Sequence, residues 1–326
     1  MNITTDKTAL NKLGVQTNIP LAQYTWFGTG GPARFFTQPT TVAAYAKSLD
    51  FAHKQKLDIF VLGQGANILI SDSGFDGIVI RPQVSVIKIV SDEPEYSLVQ
   101  AGAGTVFADL ITYCLEHDLT GPEEFIGIPG TVGGSVFINI HYYDFLLSQF
   151  LVKAEVIERA TGKIIKVDFD WFNFGYNQSR LFDRQHYLVS ATFRFAKTTK
   201  LQTAFNKGRS VEIFRHRTKR FPYKRTCGSF FRNFAKDELT NASLPNPCIY
   251  VAFYLDNIGA KGTLSVGNAG VSYQHANMIV AEPGSTSQDI VQLARLMQQK
   301  VIDRFNLIPR TECLMVGFDK YPLLQP

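Results

Sequence analysis

The chain has 326 residues, with 45% hydrophobic and 19% charged side chains and a formal charge of +5. That length asks for more than one small core, and the composition excludes a disordered or collagen-like chain. No apolar run is long enough to span a bilayer, and the polar stretch over residues 1–12 lacks the apolar segment of a secretory leader, so a cytoplasmic protein without membrane partners is expected.

Residues 39–53 read as a Thr-capped helix, because apolar positions recur at helical spacing behind the cap. A short apolar strand over residues 58–62 follows, then the turn Gly63-Gln-Gly-Ala-Asn67 and further strands at residues 68–70 and 77–81. Between residues 84 and 197 strands alternate around one clear helix, 106–117, whose Phe107, Leu110, Ile111, Cys114 and Leu115 share a face. Residues 202–219 suit a linking helix, strand-like pieces are expected at residues 228–232 and 276–280, and a helix from Ser287 carries Ile290, Leu293, Ala294, Met297 and Val301 as its buried stripe. Three segments follow, 1–83, 84–200 and 201–326, in an α+β chain with a C-terminal α/β domain.

Cys114, Cys227, Cys248 and Cys313 lack metal-ligand or redox-pair spacing, so they read as structural thiols and no metal is expected. Arg215-His-Arg-Thr-Lys-Arg-Phe-Pro-Tyr-Lys-Arg225 concentrates positive charge. Such a run is either a solvated face or an attractor for phosphates, on a nucleotide ligand before a nucleic acid. The glycine clusters Gly28-Thr-Gly-Gly31, Gly63-Gln-Gly65, Ala101-Gly-Ala-Gly104 and Gly127-Ile-Pro-Gly-Thr-Val-Gly-Gly134 allow backbone to approach a ligand closely. None is a Rossmann fingerprint: after Gly63-Gln-Gly65 the third glycine is missing and the chain continues as strand.

Taken together, five motifs in order resemble the UDP-N-acetylenolpyruvoylglucosamine reductase (MurB) family along nearly the whole chain. They are residues 61–81, residues 127–134, Gly228-Ser-Phe-Phe-Arg-Asn233, His275-Ala-Asn-Met-Ile-Val280 and Pro309-Arg-Thr-Glu-Cys-Leu-Met-Val-Gly317. The resemblance implies an FAD-binding fold of the MurB/PCMH type, not Rossmann, with two FAD-binding subdomains and a substrate-binding domain whose last residues return a glutamate to the active site. It implies an oxidoreductase in which NADPH reduces FAD and the flavin reduces the enolpyruvyl double bond of a UDP-sugar, giving UDP-N-acetylmuramate for peptidoglycan.

By the same resemblance Ser229 is the proton donor and Glu312 a second catalytic group. FAD falls to Gly63, Gln64, Gly65, Ala66, Asn67, Ile68, Ser71, Ala103, Gly127, Ile128, Pro129, Gly130, Thr131, Gly133, Gly134 and Asn139. Substrate falls to Tyr176, Lys224, Arg225, Arg232, Asn233 and His275. A monomer that binds UDP-sugar and NADPH, and no nucleic acid, is expected.

Three departures stand out. Asn177 occupies the place of an arginine that stabilises negative charge, with Arg180 the nearest alternative. Losing a charge-assisted donor there is worth about 3 kcal/mol, or about a hundredfold in rate. Asn139-Ile-His-Tyr-Tyr-Asp144 replaces a run of small residues, and Phe234 replaces a proline. The alternatives are a paralogue that reduces another enol or enoyl substrate and a flavin-binding or UDP-sugar-binding protein with little catalysis.

Overall fold

The computed structural model describes residues 10, 11 and 13–325. Apart from Leu10 and Asn11, the polar N-terminal run used above lies outside the described residues. The chain folds into two compact units. The first takes in the described residues up to Ile19, then Arg34–Gln64 and Gly77–Arg215; the second takes in Pro20–Ala33, Gly65–Asp76 and the chain from His216 onward.

In the first unit, helix α1 (Val42–Lys54) begins where Thr41 Oγ1 accepts the Ala44 N–H at 3.1 Å, the cap expected from the sequence. It buries Tyr45, Leu49, Phe51 and Ala52 beside Phe35, Ile59, Ile78 and Ile80 of a four-stranded sheet. That sheet runs in the order 16–20, 32–37, 75–80, 59–61. A larger antiparallel sheet has its strands in the order 164–168, 151–158, 186–197, 96–102, 87–92. Helix α2 (Phe107–Glu116) buries all five residues of its apolar stripe, Phe107, Leu110, Ile111, Cys114 and Leu115, in one core with Val99, Ala154 and Phe193 of this sheet. Helix α3 (Val132–Phe137) starts inside the second glycine motif, capped by Thr131 Oγ1 on the Gly134 N–H at 3.2 Å. Helix α4 (Lys200–Arg220) follows the large sheet.

The second unit builds its core on two helices, α5 (Val251–Asn257) and α6 (Ser287–Phe305). Thr286 and Asp289 form a capping box at the start of α6, and Asp72 accepts the Ser287 and Gln288 N–H groups at 2.8 and 2.9 Å. Ile290, Leu293, Ala294, Met297 and Val301 are buried, as their spacing requires. Residues 279–281 form a strand, but residues 228–232 do not form a regular one: an isolated bridge from Phe231 to Thr311 stands in its place. The reason is local, since Asn277 caps both faces of the Phe231 peptide, its Oδ1 accepting from Phe231 N at 3.0 Å and its Nδ2 donating to Phe231 O at 2.7 Å. Among the described residues no helix is long and apolar enough to cross a membrane, and no cluster of His, Cys, Asp or Glu is arranged to hold a metal.

Candidate functional site

In the first unit the glycine loops pack backbone against backbone. The Gly130 N–H donates to Gln64 Oε1 at 2.9 Å, which ties the turn after the 59–61 strand to the second glycine motif. Val132 N donates to Thr105 O and Gly133 N to Ala103 O, each at 2.8 Å, and so bring in the 101–105 loop. A Cβ on Gly133 would lie 2.9 Å from the Ala103 carbonyl oxygen, and one on Gly63 would lie 2.7 Å from Thr131 Oγ1, so glycine is required at both. Gly127, Ile128, Pro129, Gly130 and Thr131 carry the loop into α3. Thr105 Oγ1 is buried within this cradle without a hydrogen-bond partner among the described residues. A buried hydroxyl left unpaired points to a ligand group it would bond, and the cradle fits a flavin dinucleotide in close backbone contact.

The same unit holds the segments that depart from the family pattern. Tyr176 and Asn177 are the central residues of a turn closed by Gly175 N to Gln178 O at 3.0 Å and Gln178 N to Gly175 O at 3.4 Å. Asn177 has φ +52°, the left-handed position that asparagine tolerates and arginine disfavours, which gives the substitution a backbone reason. Its Nδ2 is buried with no partner among the described residues, an N–H donor still to be used. Arg180, the alternative cation, lies over the Trp171 ring at 5.1 Å.

Asn139 is also left-handed, at φ +49°, and buried. Its Nδ2 donates to Gly175 O at 3.2 Å and its Oδ1 accepts from Ser148 N at 3.1 Å. The bulky run that follows splits up: Ile140 enters the core, His141 lies 4.9 Å from the Tyr176 ring, and Tyr143 is 69% exposed. Burial lowers the His141 pKa below the ordinary imidazole value.

In the second unit the segments bearing Ser229 and Glu312 are joined through the backbone. Glu312 N donates to Phe230 O at 2.9 Å and Arg232 N to Arg310 O at 2.9 Å. Gln298 Nε2, fully buried on α6, donates to Pro309 O at 2.7 Å and fixes the approach of the glutamate segment. Phe230 N bonds Asn277 O at 2.8 Å on the other side, so the half-exposed Ser229 sits on a clamped stretch. Residues 314–316 pair in parallel with 68–70, and Asn67 Nδ2 donates to Glu312 O at 3.4 Å. Around them, Gly65 has φ +68° with no room for a side chain against Tyr24 O, Ala66 follows it, and Ile68 begins the strand. Ser71 Oγ shares a 2.7 Å hydrogen bond with Ser73 Oγ.

The expected substrate residues are distributed differently. Arg232 spends its guanidinium on Glu238 at 2.7 and 2.8 Å, and this pairing, chiefly, holds the Glu238 carboxyl below its usual range. Asn233 Oδ1 accepts from Val251 N at 3.3 Å at the start of α5. Arg225 bonds the Ala281 and Glu282 carbonyls, and Lys224 is exposed. Phe234 is buried with its ring 5.4 Å from that of Tyr254, a packing role a proline ring would not fill.

His275 lines a cavity of about 450 Å³ with Lys219, Arg220, Phe253, Lys261 and Gln274. Its Nδ1 accepts from Asn277 N at 3.2 Å, and burial, then Arg220 and Lys261, lower its pKa. Lys219 and Arg220 were visible as part of the basic run; Lys261 and Phe253 carried no sequence signal. All four cysteines are free thiols, and Cys114, Cys227 and Cys313 are buried.

The chain matches the model of an FAD binding domain over residues 33–168 and that of the UDP-N-acetylenolpyruvoylglucosamine reductase C-terminal domain over residues 220–316. It is 32% identical to a UDP-N-acetylenolpyruvoylglucosamine reductase of Protochlamydia amoebophila, covering 93% of this chain and 94% of that one. With its Prochlorococcus marinus counterpart it shares 28% identity over 95% of this chain and 100% of the other. The crystal structure of the reductase from Thermus caldophilus superposes with a TM-score of 0.75 at 24% identity, covering 93% and 99% of the two chains, and shares the fold. The chain therefore belongs to the UDP-N-acetylenolpyruvoylglucosamine reductase family.

Proposed function

We propose that the chain is an FAD-containing, NADPH-dependent oxidoreductase that reduces UDP-N-acetylglucosamine enolpyruvate to UDP-N-acetylmuramate in the cytoplasm, as a monomer. The observation that carries this reading is the backbone junction between the Ser229 and Glu312 segments, closed by Glu312 N on Phe230 O at 2.9 Å. When bound, FAD would supply the hydride chemistry between NADPH and the enolpyruvyl double bond. In this reading residues 1–83 and 84–200 bind FAD through the loops at Gly63–Ser71, Ala103 and residues 127–134, and residues 201–326 bind the sugar nucleotide.

The protein must hold a proton beside the neighbouring carbon and offset negative charge growing on the carboxylate side. Ser229 gives the proton from its hydroxyl, a weak acid that acts only while that charge develops. Glu312, on the adjoining segment, shares a proton with the substrate carboxylate. Asn177 offers an unused Nδ2 donor in place of a cation, a neutral and weaker hydrogen bond for the growing charge. The diphosphate is taken by the cavity at His275, where the cations Lys219, Arg220 and Lys261 outnumber the one lining carboxylate, Asp256, and Phe253 adds an apolar face. His275, held neutral by its surroundings, donates a hydrogen bond without adding a proton to the balance.

Anaerobic stopped-flow absorbance tests the assignment. NADPH should bleach the bound flavin of the wild type and of Ser229→Ala at the same rate, while UDP-N-acetylglucosamine enolpyruvate reoxidises only the wild type rapidly, the variant being slower by about a hundredfold or more. Protein that holds no flavin, or reoxidation indifferent to Ser229, defeats the reading.

A further inference from the structure

Helix α4 is amphipathic in the reverse sense. Its packed face is polar: Thr203, Asn206 and Ser210 are buried. Thr203 Oγ1 donates to Asp118 at 2.8 Å, and Asn206 Nδ2 donates to Thr120 Oγ1 and Glu123 Oε1 at 3.0 Å each. Arg209 extends the same attachment to the buried Glu124 at 3.0 Å. The face turned to solvent is the apolar one. Leu201 is 83% exposed, Phe205 64% and Val211 58%, with exposed Ala204 and Gly208 between them. Positions 201, 204, 205, 208 and 211 follow the i, i+3, i+4, i+7 spacing of a single stripe, about 15 Å long at 1.5 Å per residue.

Hydrogen bonds to buried carboxylates hold this helix in place, so its apolar stripe is not needed for folding. A contiguous exposed stripe of this kind marks a contact surface. The charge beside it selects the partner. Lys200, Lys207 and Arg215 are exposed along the same side, and the one acidic residue of the helix, Glu212, pairs with Arg215 at 2.8 Å. A second copy packed stripe to stripe would bring two sets of like charge together, Lys200, Lys207 and Arg215 on each. A bilayer surface needs no matching shape: single apolar side chains submerge, and lysines reach up to anionic headgroups.

We propose that the outer face of α4 is a docking surface for an anionic phospholipid bilayer, on which the protein adsorbs without inserting a helix across it. The inference does not rest on the reductase assignment, since no residue of the stripe is among those named as contacting flavin or substrate or as catalytic. Sedimentation of the full chain with sucrose-loaded vesicles tests it. With equal parts phosphatidylglycerol and phosphatidylcholine at low salt the wild type should pellet; with phosphatidylcholine alone, or at high salt, it should stay in the supernatant. Leu201→Asp/Phe205→Asp and Lys200→Glu/Lys207→Glu should each lower the pelleted fraction about tenfold with unchanged melting temperature and flavin reduction by NADPH. A wild type that ignores anionic vesicles overturns the proposal, as do variants that pellet like the wild type. So does concentration-dependent dimerisation abolished by Phe205→Asp in a protein that binds no vesicle.

Discussion

Two regions of the first unit place different demands on the backbone and meet them with different residues. In the loops around Gly63 and Gly133 close approach is met by glycine, and carbonyl oxygens or hydroxyls occupy the space a Cβ would take. In the segments around Asn139, Tyr143 and Asn177 left-handed backbone is met without glycine, at φ +49°, +51° and +52°. Left-handed backbone costs non-glycine residues about 1 kcal/mol or more each, and the structure has to offset it locally. At Asn139 it does so through side-chain hydrogen bonds; at Asn177 the amide nitrogen has none among the described residues. The glycine positions are thus set by the space around them, while the asparagine segments depend on what their side chains bond.

If that distinction holds, Asn139→Ala is the most damaging change in either region. It strands the Gly175 carbonyl and the Ser148 N–H, both bonded to Asn139 now, and leaves alanine in left-handed backbone. We expect about 3 kcal/mol of lost stability, read by chemical denaturation with an unchanged slope. A loss under 1 kcal/mol, on the order of one ordinary hydrogen bond, removes the contrast. Gly133→Ala comes next. Its Cβ would press on the Ala103 carbonyl at 2.9 Å, and that carbonyl is already fixed by the Gly133 N–H. About 2 kcal/mol should be lost, with less flavin retained through gel filtration. Full flavin retention would show that the loop can give way and that shape does not fix it.

The same contrast explains what could be read in the sequence. Helices α1, α2 and α6 were legible because their stripes have core to bury, and the family was legible because its glycine motifs are dictated by backbone contact. Helix α3 was hidden by Gly133 and Gly134, poor helix formers held by the Thr131 cap and by packing. The strand expected at residues 228–232 failed because the Asn277 side chain took the hydrogen bonds a neighbouring strand would have supplied. Around the candidate site, Ser229 and Glu312 lie on segments the order of motifs could pair. The uses of Arg232 and Asn233 depend on Glu238 and Val251, partners no local spacing announces. For Asn177 the sequence reported a lost charge but not the turn geometry that favours asparagine there.

The smallest effect sharpens the comparison from the side of pH. His141 belongs to the non-glycine region, packed on Tyr176, and burial keeps its folded-state pKa below the unfolded value near 6.5. Between those two values the unfolded chain binds a proton that the folded one refuses, so stability rises with pH there and falls as pH drops below about 6.5. Above that value both states are neutral at this site and the contribution is flat. His141→Gln keeps a polar side chain without the titration. Its melting temperature should therefore fall less than the wild type's between neutral pH and about pH 5, the two curves running parallel above about 6.5. Parallel curves throughout would mean that the imidazole takes up its proton as readily folded as unfolded. His141 would then be solvated, and the segment that replaces the small-residue run would be looser than the glycine loops rather than differently fixed.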